Sequence, residues 1–175
     1  MALTQIPSGM IAPAQTLSVN GITFPATQVP SADANTLDDY EEGTFTPSIN
    51  SLTAGTGRAT TVYTAKYTKV GRICNFQIFL TLSTLGSGGS GLTVINGLPF
   101  TNLNDGGNYE SAISVAYFDT LASSIVWIGG TVKPNQTYIG MFARGTAGTD
   151  AASMTFSTYI TTGSTFIVSG TYIVA

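Results

Sequence analysis

The sequence predicts an all-β protein: an antiparallel β-sandwich of jelly-roll type, preceded by an extended N-terminal arm. Three observations point there. From Tyr63 onward apolar residues recur with period two, Gly-rich turn signals separate the alternating runs, and no stretch carries the capped apolar stripe of a helix.

Residues 1–36 form the predicted arm. They hold four of the chain's seven prolines, Pro7, Pro13, Pro25 and Pro30, which break helices and are disfavoured in central strands. No charge precedes Asp33, and Leu3, Ile6, Met10, Ile11, Leu17 and Phe24 are spaced along the segment. Solvated disordered tails are enriched in charge, so a segment this apolar is expected to lie on another surface. Those six side chains are the candidate contacts with a partner.

Residues 37–50 follow as an acidic hinge and first strand. Asp38, Asp39, Tyr40, Glu41 and Glu42 place four carboxylates and a tyrosine in five positions. Gly43 permits a sharp redirection, and Phe45 begins an extended run in which Pro47 suits a strand start or an edge. Four of the six basic residues, Arg58, Lys66, Lys69 and Arg72, come soon after, so some of them are expected to pair with this cluster.

The β-domain is expected over residues 51–175. In "RICNFQIFLTLS" the residues Cys74, Phe76, Ile78, Leu80 and Leu82 share one face and the intervening residues the other, the pattern of a strand over a core. Further strands are predicted at 92–96, 111–118, 123–132, 137–143, 153–160 and 165–174, all rich in β-branched and aromatic residues. "KVGR" places Gly71 for the positive φ of a type II turn, and "GSGGSG", "NDGGN" and "RGTAGTD" make other connections. About eight short antiparallel strands suit a two-sheet sandwich, with a closed barrel as the competing arrangement.

Composition narrows the chemistry. Only 9% of residues are Asp, Glu, Lys or Arg, while 43% are apolar, so Ser and Thr must cover much of the exterior. Such a surface provides little like-charge repulsion, and part of it is expected to be hidden in an oligomer. A net charge of −3 with six scattered basic residues offers no stripe for a phosphate backbone, which argues against a nucleic-acid partner.

The chain contains no histidine, which removes the usual general base near neutral pH and the His-dependent triads. One cysteine, Cys74, cannot build a zinc site and reads as a small buried hydrophobe. "GSGGSG" lacks the Lys-Ser/Thr and following helix of a phosphate cradle. "DDYEE" lacks the spaced acids and central Gly of a calcium loop. No cofactor, metal or catalytic residue is therefore expected. A carboxylate pair of the glycosidase kind would need a separation that sequence does not give.

The N-terminus lacks the basic start and continuous apolar run of a secretion signal, and no segment approaches the ~18 apolar residues of a membrane span. The chain is expected to be used whole, without membrane insertion.

The stretch "NGITFPATQVPSADANTLDDYEEGTFTPSI" (20–49) resembles a segment of tailed-bacteriophage virion appendage proteins, including tail fibres and head fibres, in which an LDDYEEGT(W/F)TP element leads into a terminal β-domain. "YTKVGRICNFQIFLTLS", "INGLPF" and "VSGTYIVA" look like parts of that domain. The resemblance implies a non-enzymatic, trimeric, projecting structure of the virion, made in the host cytoplasm.

Relatives with a long fibrous region have far more chain ahead of the motif. The short apolar arm therefore favours a homotrimeric capsid decoration (cement) protein or short head fibre, bound through the arm to the major capsid protein or another virion protein. The alternative is a tail-fibre receptor-binding or adaptor protein that contacts host surface glycan.

Overall fold

In the computed structural model of the protein the described residues are 40–107, 110–145 and 150–175. The period-two segments form β-strands, and every strand pairing among the described residues is antiparallel. In order these are β1 (Tyr40–Thr44), β2 (Ser48–Thr53), β3 (Ala59–Val70), β4 (Ile73–Thr84), β5 (Ser90–Asn96), β6 (Ser111–Asp119), β7 (Trp127–Val132), β8 (Tyr138–Arg144), β9 (Ala152–Ser153) and β10 (Thr165–Ile173). Among the described residues one helical turn, α1 (Phe156–Tyr159), interrupts them.

The molecule is thus all-β, but its two layers are halves of one curled sheet. Strand order is β1-β3-β4-β10-β6-β7-β8-β5-β2, with β9 attached to β8. At the corner β6 joins β7 through only two residue pairs, Ser111 with Val132 and Ala112 with Thr131. That narrow junction lets the sheet fold over on itself. Inward-pointing Cys74, Phe76, Ile78, Leu80 and Leu82 of β4 then meet Ile49, Ile95, Val132, Ile139 and Met141 of the opposite half, all at most 1% exposed. Burying such side chains contributes about 1.5 to 3 kcal/mol each before entropy is subtracted. β1 and β2 remain as the two ends of the path, so the sheet curls without closing by strand pairing between them.

Three sequence expectations change. The segment 153–160 is not a strand: after β9 the chain makes α1, because Phe156 and Ile160, four residues apart, both turn to the core. The strand expected from residue 123 begins at Trp127, since the preceding residues bend past Tyr159, whose carbonyl accepts the Ala122 N–H at 2.8 Å. Gly71 has φ +56° but occupies the first central position of the β3–β4 hairpin, because Val70 pairs directly with Ile73. Positive φ at that position is the sign pattern of a II′ turn, which matches strand twist, rather than of type II.

Gly170 shows how the core sets composition. It stands opposite Phe76 in β4, and a Cβ there would lie 2.9 Å from both the Phe76 ring and Ile113. The ring fills the space that a side chain would need.

Candidate functional site

The acidic motif enters the structure as an edge strand. Of the hinge residues, Tyr40, Glu41, Glu42 and Gly43 lie in β1 and Phe45 just beyond it, whereas Asp38 and Asp39 lie outside the described residues. The arm residues Leu3, Ile6, Met10, Ile11, Leu17 and Phe24 also lie outside them. β1 pairs with β3 in unbroken register: Tyr40 with Val70, Glu41 with Lys69, Glu42 with Thr68, Gly43 with Tyr67 and Thr44 with Lys66.

Strand alternation divides the motif between two faces. Glu41, Gly43 and Phe45 turn toward the rim of the core. There the Tyr67 hydroxyl donates a hydrogen bond to Glu41 Oε1. The Tyr67 ring meets Phe100 edge-on at 5.3 Å and Phe45 at 6.3 Å between centroids. A Cβ on Gly43 would fall 3.0 Å from the Tyr67 ring, so the glycine gives the ring its seat across the edge strand. The bond to Glu41, reinforced by partial burial and the carboxylate's charge, pushes the Tyr67 phenol up to about 12.

Lys69, opposite Glu41 in register, is only 6% exposed, with its Nζ 5.4 Å from the centroid of the Phe100 ring. Beneath this rim Tyr172 is buried. Its hydroxyl donates to the Phe100 carbonyl and accepts from the Phe100 N–H, both at 3.1 Å. Burial, with the neighbouring Cys74, raises the Tyr172 phenol, and burial likewise raises the Cys74 thiol.

Tyr40, Glu42 and Thr44 take the outer face. Tyr40 donates to Glu42 Oε2 at 2.9 Å, which raises the tyrosine's pKa. Beside them a shallow concavity of about 540 Å³ is lined by Glu42, Thr44, Lys66, Thr68, Asn75 and Gln77 among others.

The basic residues divide as well. Lys66 and Lys69 stand opposite β1 in register. Arg58 goes elsewhere: it donates to Asn50 Oδ1, to Ser51 Oγ at 2.8 Å and to the Gly88 carbonyl at 2.6 Å, with its guanidinium 4.0 Å over the Phe156 ring. Burial lowers its pKa. Arg72 donates to the Val174 carbonyl at 3.2 Å.

The remaining acids are dispersed. Glu110 accepts from Lys133 Nζ and Thr131 Oγ1, both at 2.6 Å, and these bonds hold its carboxyl below the ordinary range. Asp119 Oδ1 accepts the Thr120 N–H at 2.7 Å. Among the described residues no three of His, Cys, Asp or Glu come together. Glu41 and Glu42 act here as hydrogen-bond acceptors that fix tyrosines, Glu41 at the rim and Glu42 on the outer face.

Sequence reasoning found the acids and Lys69 but missed Tyr67 and Phe100. Tyr67 faces Gly43 only through the pairing of β1 with β3, a register that local pattern does not record. Phe100 reaches the rim through a loop, and no local pattern announces that.

No family model and no curated protein matches the chain. Among solved structures it is similar to the Dettilon tailspike protein, with a TM-score of 0.53 and 19% identity. The match covers 78% of this chain and 24% of the tailspike chain, so this chain corresponds to about a quarter of that protein's length. At that identity the likeness is one of fold.

Proposed function

We propose that the chain is a non-enzymatic structural protein of a bacteriophage virion: a homotrimeric capsid decoration protein or short head fibre, held by its N-terminal arm. What carries the reading is that two separate likenesses coincide in one chain. Residues 20–49 resemble the acidic element of phage appendages, and the β-domain that follows shares its fold with part of a tailspike.

On this reading Leu3, Ile6, Met10, Ile11, Leu17 and Phe24 bury against the shell. Each Å² of apolar surface covered contributes about 25 cal/mol before ordering costs are subtracted. Three arms on one trimer convert modest single contacts into avid attachment. The acidic stretch marks where the arm ends and the projecting domain begins.

Deleting residues 1–30 is expected to leave a folded trimer that no longer binds purified capsids. Saturation of capsids by the truncated protein would sink the arm's role. The tailspike likeness favours a second reading, a tail-fibre receptor-binding or adaptor part that contacts host glycan. Antibody labelling of virions separates the two: label over the head supports decoration, and label confined to the tail supports the second.

A further inference from the structure

The outer face of the first half-sheet carries an apolar row that the core does not use. Tyr40 pairs with Val70, Val70 with Ile73, and Ile73 with Ile173, so the four side chains form a ladder straight across β1, β3, β4 and β10. Each is between 41% and 56% exposed. About 20 Å further along β4, at ~3.3 Å per residue, lies a second row. Phe79 pairs with Ile167 and Ile167 with Tyr117, while the Tyr63 ring packs on Phe79 at 4.6 Å. Between the rows lie Glu42, Thr44, Lys66, Thr68, Asn75 and Gln77, with one acid and one base among them. Exposed apolar surface arranged in contiguous rows marks a docking site.

We infer that this face is covered by residues 20–39 of the same chain. The N-terminal stretch outside the described residues ends at Asp39, and the next residue, Tyr40, is the first member of the nearer row. The segment is therefore delivered to the face by its own connection. Twenty extended residues reach about 66 Å at ~3.3 Å each, more than enough to cross both rows.

Its chemistry fits the surface: Ile22, Phe24, Val29 and Leu37 are apolar, as the two rows are. Pro25 and Pro30 bring no N–H, so the segment suits lying across a face better than adding a strand to the β1 edge. Docking in this way leaves Leu3, Ile6, Met10, Ile11 and Leu17 for a partner and differs from the arm reading above at Phe24 alone, which it assigns to the chain's own sheet in place of the shell. It does not depend on what that partner is.

The test is paramagnetic broadening in the full chain. An Ala26→Cys variant carries one nitroxide, because Cys74 is fully buried and does not react in the folded protein. Isotope-labelled, spin-labelled chains are assembled in an excess of plain chains. Broadening of outer methyls, Val70, Ile73 and Ile173 in the nearer row or Ile167 in the farther one, with Leu52 on the opposite half of the sheet sharp, is the expected result. Unchanged outer methyls overturn the inference. Broadening seen only when the nitroxide sits on a different copy from the isotope label also overturns it, since a second copy then supplies the occupant.

Ile73→Asp, at an exposed position that does not enter the core, is expected to abolish the broadening. It should also speed thermolysin cleavage within residues 20–39 about tenfold, the change that about 1.4 kcal/mol of lost contact produces. Equal cleavage rates in the variant and the parent chain would count against the docking.

Discussion

Gly43 and Tyr67 form the tightest residue-scale device in the motif, with the ring seated over the glycine and its hydroxyl held by Glu41. Phe45 and Phe100 flank the ring, so it cannot retreat from a new side chain. Gly43→Val is expected to cost about 1 to 3 kcal/mol, the range for overpacking, read as a lowered melting temperature.

The same pair predicts an alkaline limit. The folded chain keeps the Tyr67 proton to about 12, whereas the unfolded chain releases it near the ordinary 10. The pair's contribution is therefore intact below pH 10 and lost as pH rises toward 12. Tyr172, also raised, acts in the same direction. Urea unfolding of Tyr67→Phe is expected to show a shallower loss of stability over that window than the parent chain. Parallel losses in the two would exclude Tyr67 as a contributor.

At the scale of elements, α1 closes the core where a strand was expected. Phe156, 3% exposed, packs with the core on one side and receives the Arg58 guanidinium on the other. Arg58 in turn reaches the Gly88 carbonyl and Asn50, so one helical turn, the strand β2 and the loop before β5 share a single anchor. Phe156→Ala is expected to destabilise by about 3 to 5 kcal/mol, as for a buried aromatic, and calorimetry checks it. A cost below about 1 kcal/mol would mean that the turn packs independently of that anchor. The edge strand β1 depends more on its cross-strand row than on burial, because four of its five residues are exposed.

For the whole molecule, the acids of the motif have separate duties. Glu41 is engaged within the chain by Tyr67 and Glu42 by Tyr40, so a test of subunit assembly should spare both. The double change Asp38→Asn and Asp39→Asn is expected to weaken the proposed trimer several-fold in sedimentation equilibrium, with the melting of the β-domain little changed. An unaltered association constant would remove these acids from assembly.

The sequence by itself determined the all-β class and most strands, because a half-buried strand writes its own burial as alternation: Cys74 to Leu82 read as one face and are one face. It also determined how few chemistries are open, because absent histidine and a lone cysteine are facts of composition. The β1 strand, α1 and the curl of the sheet were not legible. Each depends on partners far along the chain: β1 on β3, α1 on Arg58, the corner on the two-residue junction of β6 with β7. Tertiary structure alone decided that the acids Glu41 and Glu42 anchor tyrosines, and that Tyr40, Val70, Ile73 and Ile173 align into one row. Register across strands is a long-range property, and local pattern carries no record of it.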